Sequence, residues 1–284
     1  MLPKISIVTP SFNQASYIND TINSVLNQQY ENLEYIVIDG NSTDGTKDVI
    51  KKYESVLSYS ASEKDNGMYD ALNKGFSKST GEIMGWINSD DLYLPKALHV
   101  VAEIFSRFPD VQWITGASTL LDESGRIIQS TPPRRWSKYH FYLHDYKWIQ
   151  QESVFWRRSL WEKAGSRVDS SLQYAGDFEL WLRFFRFAKL YTVNAPLGCF
   201  RLRTREQKSI EHMNDYIKEV DALLGKEKLI NKDTVVLNEI KRLQNLDKKP
   251  LLGRLASANR KYSALFDYPP QFRFDRATQL FKQY

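Results

Sequence analysis

Residues 4–13 read KISIVTPSFN: a β-branched run over residues 4–9, stopped by Pro10, with the polar Ser11 and Asn13 just beyond the break. Past it, Ile18, Ile22, Val25 and Leu26 fall at i, i+4, i+7 and i+8, so this stretch predicts a strand, a loop and an amphipathic helix. The pattern recurs. Residues 33–38 (LEYIVI) break at Asp39-Gly40-Asn41-Ser42 before Val49, Ile50, Tyr53 and Leu57 recover helical spacing. A weaker run over 57–61 precedes Met68, Ala71, Leu72 and Phe76. Residues 82–88 (EIMGWIN) end at Ser89-Asp90-Asp91, and Pro95 opens a helix carrying Leu98, Val101, Ala102, Phe105 and Phe108. Four strand-then-helix units in the first 108 residues predict an α/β fold, a mostly parallel sheet flanked by helices and joined by right-handed crossovers.

Beyond residue 108 the rhythm changes. Residues 111–115 predict another buried strand, Asp122-Glu123-Ser124-Gly125 a hairpin turn, residues 159–164 and 177–188 helices, and residues 190–193 and 199–202 short strands. From about residue 206 the spacing is helical and charged, with no obvious strand. The expected organisation is an α/β body over residues 1–205 and a helical, basic and aromatic extension over 206–284.

The 284 residues suffice for a large core, and 42% hydrophobic and 26% charged residues with 13 Gly and 10 Pro exclude collagen-like, disordered and low-complexity classes. Cys199 stands alone, which excludes an internal disulfide and a Cys-rich zinc module. No apolar run approaches the roughly 20 residues of a membrane span, and the start has no signal-peptide core, so a cytoplasmic setting is expected. The net charge of +5 is uneven: residues 1–200 hold 21 Lys and Arg against 23 Asp and Glu, residues 201–284 hold 18 against 11.

In open α/β sheets ligands bind beyond the carboxyl ends of the strands, and the polar residues of this chain gather there: Ser11 and Asn13, Asp39, Glu63 and Asp65, then Asp90 and Asp91. Helix capping and turn formation are the alternative uses of such residues. The adjacent carboxylates Asp90 and Asp91 repel unless a cation or a proton relieves them, and oxygen ligands with no His or Cys nearby select a hard ion, Mn²⁺ or Mg²⁺. Such an ion points to a nucleoside diphosphate. Neither G-x-x-x-x-G-K-[ST] nor G-x-G-x-x-G is present, which removes P-loop and dinucleotide-binding readings.

In order and spacing, the segments Val8-Thr9-Pro10-Ser11-Phe12-Asn13, Ile38-Asp39-Gly40-Asn41-Ser42-Thr43-Asp44-Gly45, Glu63-Lys64-Asp65-Asn66-Gly67-Met68-Tyr69-Asp70-Ala71-Leu72-Asn73, Gly81-Glu82 and Asn88-Ser89-Asp90-Asp91 resemble the inverting glycosyltransferases of family 2, which have the GT-A fold. The resemblance covers roughly residues 3–205. It implies that Asp39 accepts the imide N–H of a uracil, that Pro10, Ser11 and Asn13 shape the base and ribose pocket, and that Asp65 helps place the nucleotide. It also implies that Asp90 lies toward the ribose and the metal shell and that Asp91 ligates the ion bridging the diphosphate. Asp177 fits the place of the general base that deprotonates the acceptor hydroxyl, with helix-end stabilisation as its alternative role. Glu179, two residues on, faces away.

Two departures stand out. Gly176 precedes Asp177 where relatives often carry Glu, and Arg203 stands where relatives often carry His. An Arg cannot ligate a metal but can pair with the diphosphate. Gln151, Glu152 and Trp148 are candidates for contacts with donor or acceptor sugar, while Phe155 and Trp156 read as core. Trp136, Tyr139, Tyr142, Tyr146 and Trp148 either stack on sugars or pack beneath the sheet. No Gln-x-x-Arg-Trp follows Asp177, so a single sugar is expected per encounter. The resemblance thus implies a nucleotide-sugar donor, UDP-linked, a glycan or lipid-linked acceptor, and a role in bacterial surface polysaccharide or lipopolysaccharide assembly. In the extension, Phe274, Ala277, Phe281 and Tyr284 have helical spacing beside Arg273, Arg276 and Lys282, which predicts a basic amphipathic helix for an anionic membrane surface at the inner face, or for docking on the catalytic domain or on a second subunit. Nucleic acid is not expected, since no recognition motif accompanies the charge. The alternatives are a sugar-phosphate nucleotidyltransferase and a non-catalytic scaffold that keeps the fold.

Overall fold

The computed structural model describes residues 2–145, 148–204, 207–247 and 264–284. Its first half alternates as the apolar spacing predicts: β1 (Ile5–Ser11), α1 (Ile18–Leu26), β2 (Leu33–Asp39), α2 (Thr46–Lys51), β3 (Tyr59–Ser62), α3 (Met68–Lys78), β4 (Ile83–Trp86), the short β5 (Leu92–Tyr93) and α4 (Ala97–Arg107). Then come β6 (Trp113–Leu121), β7 (Ile127–Thr131), α5 (Lys138–Tyr142), a 3-10 turn (Gln151–Ser153), β8 (Val154–Arg157), α6 (Arg158–Lys163), α7 (Gly176–Phe185), β9 (Leu190–Pro196) and β10 (Gly198–Arg201). The extension holds α8 (Lys208–Glu211), α9 (Met213–Lys226), α10 (Asn231–Asp247), β11 (Gln271–Asp275) and β12 (Leu280–Gln283).

The central sheet has the order β12-β11-β9-β6-β8-β4-β1-β2-β3. Along this path β8 runs antiparallel to both its neighbours and β12 antiparallel to β11; the remaining pairs are parallel. Period-2 alternation splits each strand between two cores, as a sheet covered on both faces requires. Ile5, Ile7, Tyr35, Val37, Ile83 and Phe155 enter the core under α1 and α4, while Val8, Ile36, Ile38, Met84, Trp86 and Trp156 enter the core under α3 and α7. In that second core Trp86 and Trp181 stack, their ring centroids 5.5 Å apart and planes 11° from parallel, with Trp156 and Trp113 packed around them.

At the end of the sheet away from the strand carboxyl termini, Glu34 ties three strands together. Its carboxylate accepts bonds from Ser6 Oγ on β1, from Lys4 Nζ, and from the Thr80 N–H and hydroxyl just before β4. Gly81 follows because a Cβ there would lie 2.4 Å from Ser6 Oγ. Burial alone raises a carboxyl pKa, but these four bonds overcome it and hold Glu34 at about 2.

The extension departs from its sequence reading. Residues 271–284 form a β-hairpin, not an amphipathic helix: Phe272 pairs with Val193 of β9, and Phe274 with Phe281 across the hairpin. The turn is set by Asp275, which accepts bonds from the Thr278 N–H and hydroxyl, and by Gln279 in the left-handed region at φ 56°. The four-residue turn between Asp275 and Leu280 puts Ala277 three and four positions from the paired Phe274 and Phe281, so a hairpin imitated helical spacing. The outer edge of β12 is closed by α4, where Glu103 accepts the Phe281 N–H and Arg107 donates to the Phe281 carbonyl, each at 2.7 Å. The helix on which membrane attachment rested is therefore absent. Leu251, Leu252, Arg254, Leu255, Arg260, Lys261 and Tyr262, which precede it in the basic and aromatic extension, lie outside the described residues. Among the described residues no helix is long and apolar enough to cross a membrane.

Glu34→Ala is expected to lower the unfolding free energy by about 1–3 kcal/mol at pH 7, because it orphans the buried Ser6 hydroxyl and the Thr80 N–H. Since folding depresses the Glu34 pKa from 4.5 to about 2, its stabilisation is full above pH 4.5 and is lost as pH falls toward 2. Chemical denaturation at a series of pH values should show the gap between the two proteins closing across that window.

Candidate active site

The parallel register places Ser11, Asp39 and Ser62 side by side where β1, β2 and β3 end. Asp39 is fully buried. Its Oδ2 accepts the Ser42 N–H at 2.9 Å and the Ser62 hydroxyl at 2.6 Å, and its Oδ1 accepts the Ser42 hydroxyl. Three bonds leave one carboxylate lone-pair direction, on Oδ1, for a ligand. The loop after β1 is laced to the loop after β2: Asn13 N–H donates to Ser42 Oγ, Thr43 N–H to Asn13 Oδ1, and Gln14 N–H to Thr46 Oγ1. Asn13 takes the left-handed conformation, φ 51°, that Asn tolerates best among larger residues. Pro10 is buried at the end of β1. Asp65 accepts the Gly67 N–H and lies directly over Gly40, where a Cβ would come 2.8 Å from Asp65 Oδ2. The residues expected around a base and ribose thus share one rim.

After β4 the chain turns through Asp90 and Asp91 beside β10. Asp91 is 1% exposed; its Oδ1 accepts the Arg201 N–H at 2.9 Å, and Asn88 Nδ2 lies 3.4 Å from its Oδ2. Arg201, equally buried, donates its Nε to the Asp90 carbonyl and Nη1 to the Glu123 carbonyl, so it holds the backbone of the acidic pair. Arg203 places Nε 3.3 Å from Asp90 Oδ2 and donates Nη1 to Gln14 Oε1, at a cleft of about 380 Å³ lined also by Asn13, Tyr17, Asp44 and Thr204. The alternation Phe200-Arg201-Leu202-Arg203 was the available signal for Arg201, since a strand places residues two apart on one side.

Glu152 comes to the same place on the 3-10 turn before β8, beside Gln151, whose Nε2 donates to the Trp86 carbonyl at the end of β4. Burial pushes the Glu152 carboxyl up to about 8, with Asp177 and Asp90 adding to the effect. Burial, then Asp90 and Glu152, pushes Asp91 well above the ordinary carboxylate range, and the Arg201 N–H only partly offsets them. Asp90 is raised by burial against the pull of Arg203. Among the described residues Ser11 Oγ, Asn88 Oδ1, Gln151 Oε1 and Glu152 Oε1 are buried without a hydrogen-bond partner. Four orphaned polar atoms converge where β1 and β4 end and β8 begins, each costing about 1–3 kcal/mol unless something pairs with it.

An all-oxygen donor set of this kind fits a hard divalent ion. Among the described residues, however, no group of three or more His, Cys, Asp or Glu forms a ready-made metal cage. The fit is to an ion held by Asp91 together with a ligand's own phosphate oxygens. His140 and His144, four residues apart as metal-binding histidines often are, are engaged elsewhere: His140 stacks on Phe266 and reaches the Tyr268 hydroxyl, while His144 meets Asp221.

Asp177 opens α7 and faces this cluster. Burial pushes its carboxyl up to about 6, against bonds to Oδ1 from the Phe178 N–H and the Tyr216 hydroxyl. Glu179 turns away, as helical geometry requires, into an ion pair with Arg183 at 2.7 Å. Phe155 and Trp156 are core. Of the aromatic segment, Trp136 and Tyr139 are buried and Trp148 is 40% exposed, its ring edge-on to Tyr216 at 4.9 Å; Tyr146 lies outside the described residues. Sequence reasoning missed Tyr69. Its ring fills the space beside Gly176, where a Cβ would come 2.6 Å from Tyr69 Cζ. Its hydroxyl accepts the Gly176 N–H at 2.9 Å and donates to the Tyr174 carbonyl at 2.7 Å. The glycine found where relatives often carry Glu is thus the counterpart of a tyrosine seated against it.

This fold, with a rim of Ser, Asn and Asp side chains and a carboxylate cluster facing it, is the arrangement expected of a glycosyltransferase. Residues 6–160 match the sequence model of Glycosyl transferase family 2, more than half of the chain, which therefore belongs to that family. An uncharacterized glycosyltransferase of Rickettsia typhi is 27% identical over 233 residues, 78% of this chain and 70% of that protein. Across four rickettsial relatives the chain spans between 22% and 70% of their own lengths. TuaG of Bacillus subtilis, named for teichuronic acid biosynthesis, is 37% identical over 92 residues, 31% of this chain and 36% of its own. Among solved structures, S. aureus TarS residues 1–349 in complex with UDP-GlcNAc superposes with a TM-score of 0.66 over 92% of this chain and 79% of that one, at 15% identity. The mannosyltransferase PcManGT of Pyrobaculum calidifontis, in complex with GDP-Man and Mn²⁺, gives 0.65 over 93% and 76%, at 17% identity. At these identities the likeness is one of fold, and the fold is GT-A.

Gly176→Ala is expected to cost about 1–3 kcal/mol, because the new methyl meets the buried Tyr69 ring. In a Tyr69→Ala background the same substitution should cost much less, and a double-mutant cycle by thermal or chemical denaturation reads the difference.

Proposed function

We propose that this chain transfers one sugar, with inversion, from a nucleoside-diphosphate sugar to a hydroxyl of a glycan or lipid-linked acceptor, in the assembly of a bacterial surface polysaccharide. The observation that carries the reading is the meeting of Asp177 with Glu152, Asp90 and Asp91 at the carboxyl rim, beside four buried polar atoms that await partners. On the donor side, Asp39 offers its remaining lone pair to the imide N–H of a uracil, between walls formed by Pro10, Ser11 and Asn13, and Asp65 sits at the ribose end. UDP is the donor nucleotide this arrangement favours, and the UDP-GlcNAc bound to TarS supports it. Asp90 lies toward the ribose, and Arg203, beside it, is placed to pair with diphosphate oxygens.

Asp91 would hold Mn²⁺ or Mg²⁺ jointly with the diphosphate; the Mn²⁺ in the mannosyltransferase complex supports that assignment. When bound, such an ion supplies Lewis-acid stabilisation of the departing nucleoside diphosphate. On the acceptor side, Asp177 takes the hydroxyl proton as the oxygen attacks the anomeric carbon and the bond from that carbon to the diphosphate oxygen breaks. Gln151 and Glu152 are placed for sugar hydroxyls. Trp148, half-exposed, offers a ring face for stacking on sugar. A base with a pKa near 6 is ionised at neutral pH yet basic enough to accept the proton, an effect worth about 10²–10⁴-fold in rate.

Nucleoside diphosphate release should be measured across a donor panel with and without Mn²⁺. Transfer is expected from UDP-sugars, to depend on the metal and to fall as pH drops through about 6, where Asp177 becomes protonated. Asp91→Ala should abolish turnover. Asp177→Asn should still bind donor by calorimetry while losing about two to four orders of magnitude in transfer. Full transfer by Asp177→Asn removes the base assignment, and silence toward every nucleotide sugar removes the reading.

A further inference from the structure

The helix that carries Asp177 does not secure its own start. The residue before α7, Ala175, has no capping side chain, yet α7 begins in the interior beside the acid cluster. Inside the helix the Gly176 N–H goes to Tyr69 and the Phe178 N–H to Asp177 itself, while the three residues leading into it are held from α9, in the extension that lies outside the segment matched by the family. Glu219 Oε1 accepts the Gln173 N–H at 2.9 Å, and its Oε2 accepts the Tyr174 and Ala175 N–H groups at 3.0 and 2.8 Å. One turn earlier on the same helix face, the Tyr216 hydroxyl reaches Asp177 Oδ1 at 3.4 Å, and the Tyr216 ring carries the edge contact with Trp148. A further turn back, His212 stacks on Tyr174 at 4.9 Å. Residues 212, 216 and 219 therefore present one stripe to the segment 173–177, anchored below by the fully buried Val220.

The two bonds to Asp177 from the Phe178 N–H and the Tyr216 hydroxyl both fall on Oδ1. Among the described residues Oδ2 receives none, so it is the atom left to meet an incoming hydroxyl. We propose that α9 is the acceptor-side support of the reaction, with Glu219 and Tyr216 as positioning residues that hold Asp177 with Oδ2 presented to the acceptor. The proposal rests on the reading of Asp177 as the base. A misplacement of about 1 Å can cost about a hundredfold in rate, so three N–H bonds placed immediately before the base are mechanistically weighty as well as structural. The titratable groups that interact with Asp177 are Tyr69 from α3, Glu152 from the 3-10 turn and Tyr216 from α9, with Glu219 of α9 acting on both tyrosines. Of these Tyr216 donates to the carboxylate, which favours its charged form, so its loss moves the titration of Asp177 to higher pH.

The test uses the full chain with Tyr216→Phe and Glu219→Gln, both conservative in shape. Each is followed by acceptor kinetics, donor binding by calorimetry, and the ¹³C carboxyl titration of Asp177, assigned by its disappearance in Asp177→Asn. Tyr216→Phe is expected to lower kcat about tenfold or more with donor affinity held within about twofold, and to move both the acid limb of the rate profile and the Asp177 midpoint upward. Glu219→Gln, which keeps one accepting oxygen, should lower kcat with the same unchanged donor affinity. A Tyr216→Phe protein with wild-type kcat and an unmoved midpoint overturns the proposal. The carboxyl titration needs no turnover, so a wild type that transfers no sugar while the Tyr216→Phe midpoint still moves removes the proposed function and leaves the contact standing.

Discussion

The stack of Trp86 on Trp181 is the contact on which the site depends. Trp86 is the last residue of β4, four residues before Asp90, and Trp181 lies one helical turn after Asp177 on the same side of α7. Two flat rings 5.5 Å apart therefore fix how far the Asp90–Asp91 turn stands from Asp177. The indole N–H groups of Trp86, Trp156 and Trp181 have no acceptor among the described residues, at about 1–3 kcal/mol each. Burial of about 150–250 Å² of aromatic surface per ring, at about 25 cal/mol per Å², contributes roughly 4–6 kcal/mol each and outweighs that cost.

Upon this rigid floor the protein gathers carboxylates that the same burial makes hard to ionise. Asp91 and Glu152 are nearly inaccessible, and their charges repel. Asp177, with two donors on one oxygen, is held closer to the ordinary range than Glu152. Neighbouring acids thus reach different protonation states near neutral pH through differences in burial and hydrogen bonding, the separation that acid-base chemistry exploits. Arg201 contributes twice: its N–H bonds the Asp91 carboxylate, and its guanidinium fixes the Asp90 backbone.

Much of this was legible in the order of residues. The four strand-helix units, the mostly parallel sheet and the placing of Asp39, Asp65, Asp90 and Asp91 at strand ends follow from local periodicity and from the rule that ligands meet the carboxyl rim. Glu179 was correctly turned away from the site by helical geometry alone. The hairpin at residues 271–284 was not legible, because its strands are completed by β9 and its edge by Glu103 and Arg107, partners some 80 and 175 positions away in the chain. Tyr69 and Gly176 were unreadable as a pair for the same reason: each is ordinary locally, and only their contact explains the missing acidic neighbour.

The sequence by itself determined the class of fold, the family and the rim on which the acidic residues stand, since hydrophobic period and turn chemistry act over a few residues and repeat. Tertiary structure alone decided which carboxylates lie close enough to shift one another's protonation, what seats Asp177, and that the basic tail ends in a strand pair on the central sheet. Burial, Coulomb interaction and hydrogen bonding act between groups according to distance in space, and Tyr216 reaches Asp177, and Glu219 the residues just before it, across some forty positions of chain that no local pattern connects.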